Sequence, residues 1–178
     1  MTTDFIIKEL IKQSPKTKDE LSKFKRYIAI QTKESFLPSR KILNYYLKYT
    51  TKNKITTDKN IINLLKTGNV RSISGVTVIT VATKPYKCPG ECIYCPQQKD
   101  IPKSYLDNEP AIMRAQRNNF KSYKQTKERL ITLIENGHKT DKIEIIVIGG
   151  TWSYLKKKYQ TQFIKDVLMH ATKDHQLT

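Results

Sequence analysis

Residues 143–150 read IEIIVIGG. Ile143 to Ile148 is almost continuously apolar, the pattern of a parallel strand covered on both faces, and two glycines follow at once. Upstream, Val76 to Ala82 (VTVITVA) is rich in β-branched residues and stops short of Pro85, so it reads as a first strand. Between the strands, Glu109 to Asn118 reads as a short helix. Ser122 to Asn136 reads as a longer one, with Tyr123, Leu130, Ile131 and Ile134 on one face and Gly137 beyond its end. After the glycines, Tyr159, Phe163, Val167 and Leu168 mark a last amphipathic helix. Strand, helix, strand, helix is the order of parallel β/α units, so the fold class is α/β.

Further out, residues 4 to 66 read as short helices with polar breaks. Phe5, Ile6, Leu10 and Ile11 recur at helical spacing before Pro15. Thr17 with Glu20 forms a capping box, and Leu21, Phe24 and Ile28 follow as its stripe. Ser39 after Pro38 is placed to cap a helix carrying Ile42, Leu43, Tyr46 and Leu47. Asp58 is placed to cap another with Ile61, Ile62 and Leu65, closed by Gly68. Tyr49 to Asp58 is polar and reads as a loop. Two domains are therefore expected: a basic helical unit over 1–70 and a β/α unit over 71–178.

The chain has 178 residues and a net charge of +17, which implies an anionic partner, nucleic acid above all. Up to Gly75 there are 16 Lys and Arg against 6 Asp and Glu, so the positive charge is denser in the N-terminal unit. Lys23, Lys25, Arg26, Arg40 and Lys41 are the candidate phosphate contacts, with Lys16 and Lys18 beside them. The competing account is compositional. Of the 33 basic residues 27 are Lys, and Arg is the better bidentate phosphate ligand. No run of about eighteen apolar residues occurs, so no membrane span is expected. The start, MTTDFIIKEL, lacks the features of a secretory signal, so a cytoplasmic protein with reduced thiols is expected.

All three cysteines fall within eight residues, Cys88-Pro-Gly-Glu-Cys92-Ile-Tyr-Cys95, and there is no fourth. An odd count in a reducing compartment argues against a disulfide framework. Structural zinc needs a fourth ligand, and His138, His170 and His175 are not at finger-like spacing. A [4Fe-4S] cluster on three thiolates fits better and leaves one iron with an open position. The spacing C-x3-C-x2-C, with the aromatic Tyr94 just before the last cysteine, resembles the motif of radical S-adenosylmethionine enzymes. In such enzymes the open iron chelates S-adenosylmethionine and one electron splits its sulfonium to give a deoxyadenosyl radical. Gly149 and Gly150, at the C-terminal end of a strand, then expose bare backbone to the methionine amino group. Their other reading is a tight turn.

Three blocks extend the resemblance: VRSISGVTVITVATKPYKCPGECIYCP, SYLDNEPAIMRAQRNNF and GHKTDKIEIIVIGGTW. Over roughly residues 70 to 172 they resemble the catalytic subunit of Elongator and its single-chain bacterial and archaeal relatives, the tRNA carboxymethyluridine synthases. The resemblance implies a partial TIM-type radical S-adenosylmethionine barrel, of which this chain holds the first two β/α units. It implies modification of the tRNA wobble uridine, with acetyl-CoA as co-substrate. It places the cluster on Cys88, Cys92 and Cys95, S-adenosylmethionine on Tyr94, Gly149 and Gly150, and acetyl-CoA on Lys142. For Lys142 a solvated lysine at a strand start is the other reading. Ser104, Tyr105, Glu109 and Pro110 are implied to lie beside the cluster. Arg114 serves either an anionic ligand or an ion pair with Glu109. The family carries further β/α units and an acetyltransferase domain, so a fragment is expected. The alternative is an RNA-binding module whose iron-sulfur or zinc centre is structural.

Overall fold

The computed structural model describes residues 3–33, 35–68 and 72–172. His175 lies outside them. The chain divides into two compact units, Met1–Ser74 with Leu133–Lys139, and Gly75–Thr132 with Thr140–Thr178. Among the described residues no helix is long and apolar enough to cross a membrane.

The first unit is helical: α1 (Thr3–Gln13), α2 (Lys18–Thr32), α3 (Ser39–Asn53) and α4 (Lys59–Leu65). Ile6, Ile7, Leu10, Leu21, Phe24, Ile28, Ile42, Leu43, Tyr46, Ile61 and Leu65 form one buried cluster. Ile7 takes the buried place expected of Ile11, which lies on the exposed side of α1. The Thr17 hydroxyl caps α2 by accepting from the Glu20 amide at 3.2 Å. The return bond of the expected box goes one residue early: the Glu20 carboxylate accepts from the Lys16 amide at 2.7 Å. Thr17→Ala should destabilise the unit by about 1 kcal/mol, read as a lower urea midpoint at unchanged slope.

Two helix boundaries differ from expectation. Pro38, not Ser39, is the N-cap of α3, because the Ser39 hydroxyl is taken by the Lys25 ammonium. The polar segment from Tyr49 is not all loop, since α3 continues to Asn53. Thr50 is buried there with its hydroxyl on the Tyr46 carbonyl at 3.0 Å, so a polar residue meets its bonding needs inside the helix. Asp58 caps α4 through the Asn60 amide at 2.7 Å, while the helix stops at Leu65, short of Gly68.

The second unit holds β1 (Thr77–Ala82), α5 (Pro110–Arg117), α6 (Ser122–Glu135) as far as Thr132, β2 (Ile143–Ile148), a short 3-10 turn (Trp152–Tyr154) and α7 (Lys157–Ala171). The strands run parallel, Thr77 opposite Ile143 and Ala82 opposite Ile148. Val76 falls outside β1. The inner strand is β1, with Ile79, Val81 and Ala82 fully buried. The expectation that β2 is covered on both faces fails among the described residues: no β2 residue is buried, and Glu144 and Ile146 are exposed. On the edge of β1 away from β2, the Gln125 side chain pairs both backbone groups of Ala82 at 2.9 Å each. That amide supplies the bonds that an adjoining strand would make.

The helix faces are shifted too. On α6, Leu130 and Leu133 are the fully buried apolar residues, and Tyr123, Ile131 and Ile134 are half-buried. On α7 the buried face is Gln160, Phe163 and Val167. Leu168 is exposed, and the Gln160 amide turns in to donate to the Leu155 carbonyl at 2.7 Å.

Candidate functional site

The loop after β1 carries the cysteines, and the turn after β2 carries the glycines. Because the strands are parallel and in register, both segments leave the same end of the sheet. There they line one cleft of about 270 Å³, with Cys88, Gly90, Cys92, Cys95, Gln97, Lys103, Ser104, Gly149, Gly150 and Thr151 around it. Five of the predicted site residues thus meet in one place.

Each thiol has its own surroundings. Cys88 Sγ lies 3.3 Å from Thr151 Oγ1, and Cys95 Sγ lies 3.4 Å from Ser104 Oγ. The Cys95 amide donates to the Cys92 carbonyl at 3.1 Å, which tightens the turn between them and leaves Cys92 exposed. The Thr151 hydroxyl, the Gly90 amide and the Lys103 ammonium all favour the Cys88 thiolate, so its pKa lies below that of an ordinary thiol. A methyl group at Gly90 would lie 3.7 Å from Cys88 Sγ and 3.8 Å from Cys92 Sγ, so bare backbone lies against both sulfurs.

Gly149 is fixed by packing as well as by the cleft. Its φ is +153°, and a Cβ there would fall 2.0 Å from Thr83 Oγ1 at the end of β1. Gly150 is looser, with the Lys103 side chain 3.5 Å from where its Cβ would be.

Not every predicted residue comes to the cleft. Tyr94 sits on the turn between Cys92 and Cys95 with its side chain 87% exposed, away from the lining. Lys142 precedes β2, and its carbonyl accepts from the Thr77 amide at 2.9 Å. A six-residue strand separates it from Gly149, a rise of about 20 Å. Glu109 caps α5 by position, while its carboxylate accepts from the Leu106 amide at 2.9 Å. Thr151, Lys103 and Gln97 line the cleft without having been singled out. The adjacency of Thr151 to the double glycine was the available signal.

The three sulfurs are a soft donor set, and neither His nor carboxylate lines the cleft with them. Among the described residues, no group of three or more His, Cys, Asp or Glu is placed to hold a metal ion. By the chemistry of the donor set alone, three thiolates without a fourth protein ligand suit a cluster better than a closed four-ligand zinc site.

In the helical unit the candidate RNA contacts are unequal. Lys23 pairs with Asp19 at 2.9 Å, which raises its pKa. Lys25 is half-buried, donates to Ser39 and lies 5.2 Å from the centre of the Phe36 ring, and burial lowers its pKa. Arg40 faces Glu135 at 3.5 Å. Arg26 and Lys41 are exposed.

Over 128 residues the chain is 45% identical to the tRNA uridine(34) acetyltransferase of Methanocaldococcus infernus, covering 68% of this chain and 23% of that protein. It is 48% identical over 96 residues to the protein of the same name from Dehalococcoides mccartyi, covering 54% of this chain and 21% of that one. It is also 37% identical over 120 residues to the Elongator complex protein 3 of Bos taurus, covering 61% of this chain and 22% of that protein. The chain is a homologue of these proteins. This Elongator homologue thus spans less than a quarter of the length of these relatives. No protein-family model matches it.

Proposed function

We propose that this chain carries the cluster-binding portion of a radical S-adenosylmethionine enzyme that modifies uridine 34 of tRNA, with acetyl-CoA as acyl donor. The observation that supports it is the convergence of Cys88, Cys92, Cys95, Gly149 and Gly150 on one cleft at the C-terminal end of a parallel sheet. That is where β/α barrels keep their chemistry, and a two-stranded parallel sheet is what supports reading the chain as part of one. The three cysteines would hold a [4Fe-4S] cluster. When bound, that cluster supplies the electron that cleaves the sulfonium of S-adenosylmethionine.

The remaining work falls to the chain. Gly149 and Gly150, which line the cleft, would offer backbone groups to the methionine portion of the cofactor. Tyr94 offers an exposed ring on which an adenine can stack. Lys103 places a positive charge on the cleft wall, suited to a carboxylate. Lys142 stands at the far end of β2, and its role toward acetyl-CoA rests on the resemblance alone. The uridine must leave its stack to reach the cleft.

The test is spectroscopic. Anaerobically reconstituted, dithionite-reduced protein should show a cluster electron paramagnetic resonance signal that changes on adding S-adenosylmethionine. An unchanged signal would favour the structural-centre alternative.

The helical unit is proposed to bind tRNA through phosphates. Arg26 and Lys41 are among the exposed candidates, so Arg26→Ala with Lys41→Ala should weaken binding by about 1 kcal/mol per lost contact. In a mobility shift, wild-type affinity should fall steeply between low and moderate salt. Equal affinity of the variant, or binding indifferent to salt, would leave the charge as compositional bias.

A further inference from the structure

We infer that Thr151 and Ser104 are positioning residues for the cluster proposed above, donating O–H···S hydrogen bonds to the Cys88 and Cys95 thiolates and raising the cluster's reduction potential. The inference rests on that proposal. Its observations are two: Thr151 Oγ1 at 3.3 Å from Cys88 Sγ, and Ser104 Oγ at 3.4 Å from Cys95 Sγ. Both hydroxyls line the same cleft as the sulfurs. They come from different segments, one after β2 and one from the loop ahead of α5, so two of the three ligands are served by separate stretches of chain.

The backbone at both places is held independently of the hydroxyls. The Thr151 carbonyl accepts from the Tyr154 amide at 3.1 Å, which starts the 3-10 turn. Ser104 has φ +75°, a left-handed conformation that glycine or asparagine adopts more readily, and the Tyr105 amide next to it donates to the Pro102 carbonyl at 3.3 Å. A serine kept in that conformation puts its one functional group on Cys95. Both residues are exposed apart from these contacts, so removing either hydroxyl leaves no hole in the core.

Once a thiolate ligates iron, its remaining lone pairs carry the charge that grows when the cluster gains an electron. A hydrogen bond to that sulfur stabilises the reduced, more negative state more than the oxidised one. The step concerned is the addition of one electron to the oxidised cluster, taken from a low-potential donor. No bond of the chain is made or broken, and the two hydroxyl protons stay on oxygen.

The experiment is a dithionite titration of the reconstituted full chain, followed by electron paramagnetic resonance, for wild type, Thr151→Val, Thr151→Ser, Ser104→Ala and the double variant Thr151→Val with Ser104→Ala. Each single deletion should shift the midpoint potential to a more negative value, and the double variant should shift by about the sum. Thr151→Ser should stay at the wild-type potential, because it keeps the hydroxyl. Iron content should be the same in all. Failure of wild type to bind a cluster overturns both this inference and the proposed function. Clusters that form equally in all proteins with one shared potential overturn this inference alone.

Discussion

Cys92→Ala is expected to reduce iron loading from about four irons per chain to nearly none after anaerobic reconstitution. Three thiolates are the smallest set that can anchor a four-iron cluster, and the sequence holds no fourth cysteine to substitute. Cys92 is the exposed member, so its loss costs little packing, and the circular dichroism of the apo-protein should be unchanged. The comparison separates a ligand from a structural residue. Four irons retained in the variant, or stoichiometric zinc without iron uptake in the wild type, would contradict the assignment.

Gly149→Ala should destabilise the second unit by roughly 2–5 kcal/mol, adding a strained backbone to an overpacked contact. The position has φ +153°, and the new methyl would meet Thr83 Oγ1 at 2.0 Å and Thr83 Cβ at 3.1 Å. Thr83 cannot step aside, since it is buried at the end of β1 and its amide bonds the Ile148 carbonyl at 2.9 Å. The melting temperature should fall by roughly 5–15 °C. In a Thr83→Gly background the same substitution should cost at least about 1 kcal/mol less, which a double-mutant cycle reads directly. Equal costs in both backgrounds would mean that Gly149 is not held by Thr83.

Much of the architecture was legible because a few segments carry redundant signals. IEIIVI is β-branched, continuous and closed by glycines, and β2 occupies Ile143–Ile148 as expected. The cysteine spacing and the double glycine meet at one end of the sheet because parallel strands emit their following loops on the same side. Three kinds of information were not in the pattern. Polar residues that satisfy themselves inside a helix, such as Thr50 and Gln160, read as loop or surface. A side chain that completes a strand edge, as Gln125 does for Ala82, has no periodicity to betray it. The hydroxyls of Thr151 and Ser104 lie in irregular segments: the resemblance put Ser104 beside the cysteines and Thr151 adjoins the double glycine, but only the three-dimensional contact pairs each with its own sulfur. The charge pattern does not show which candidate phosphate contacts also pair within the unit: Lys23 with Asp19, Lys25 with Ser39 and Arg40 with Glu135.

The central claim is that the cleft formed by Cys88, Cys92, Cys95, Gly149 and Gly150 handles S-adenosylmethionine reductively. The direct measurement is product analysis after anaerobic incubation of the reconstituted chain with S-adenosylmethionine and dithionite. The account predicts 5′-deoxyadenosine from the wild type and none from Cys92→Ala. Loss of the product from a wild type that carries a full complement of iron would contradict it.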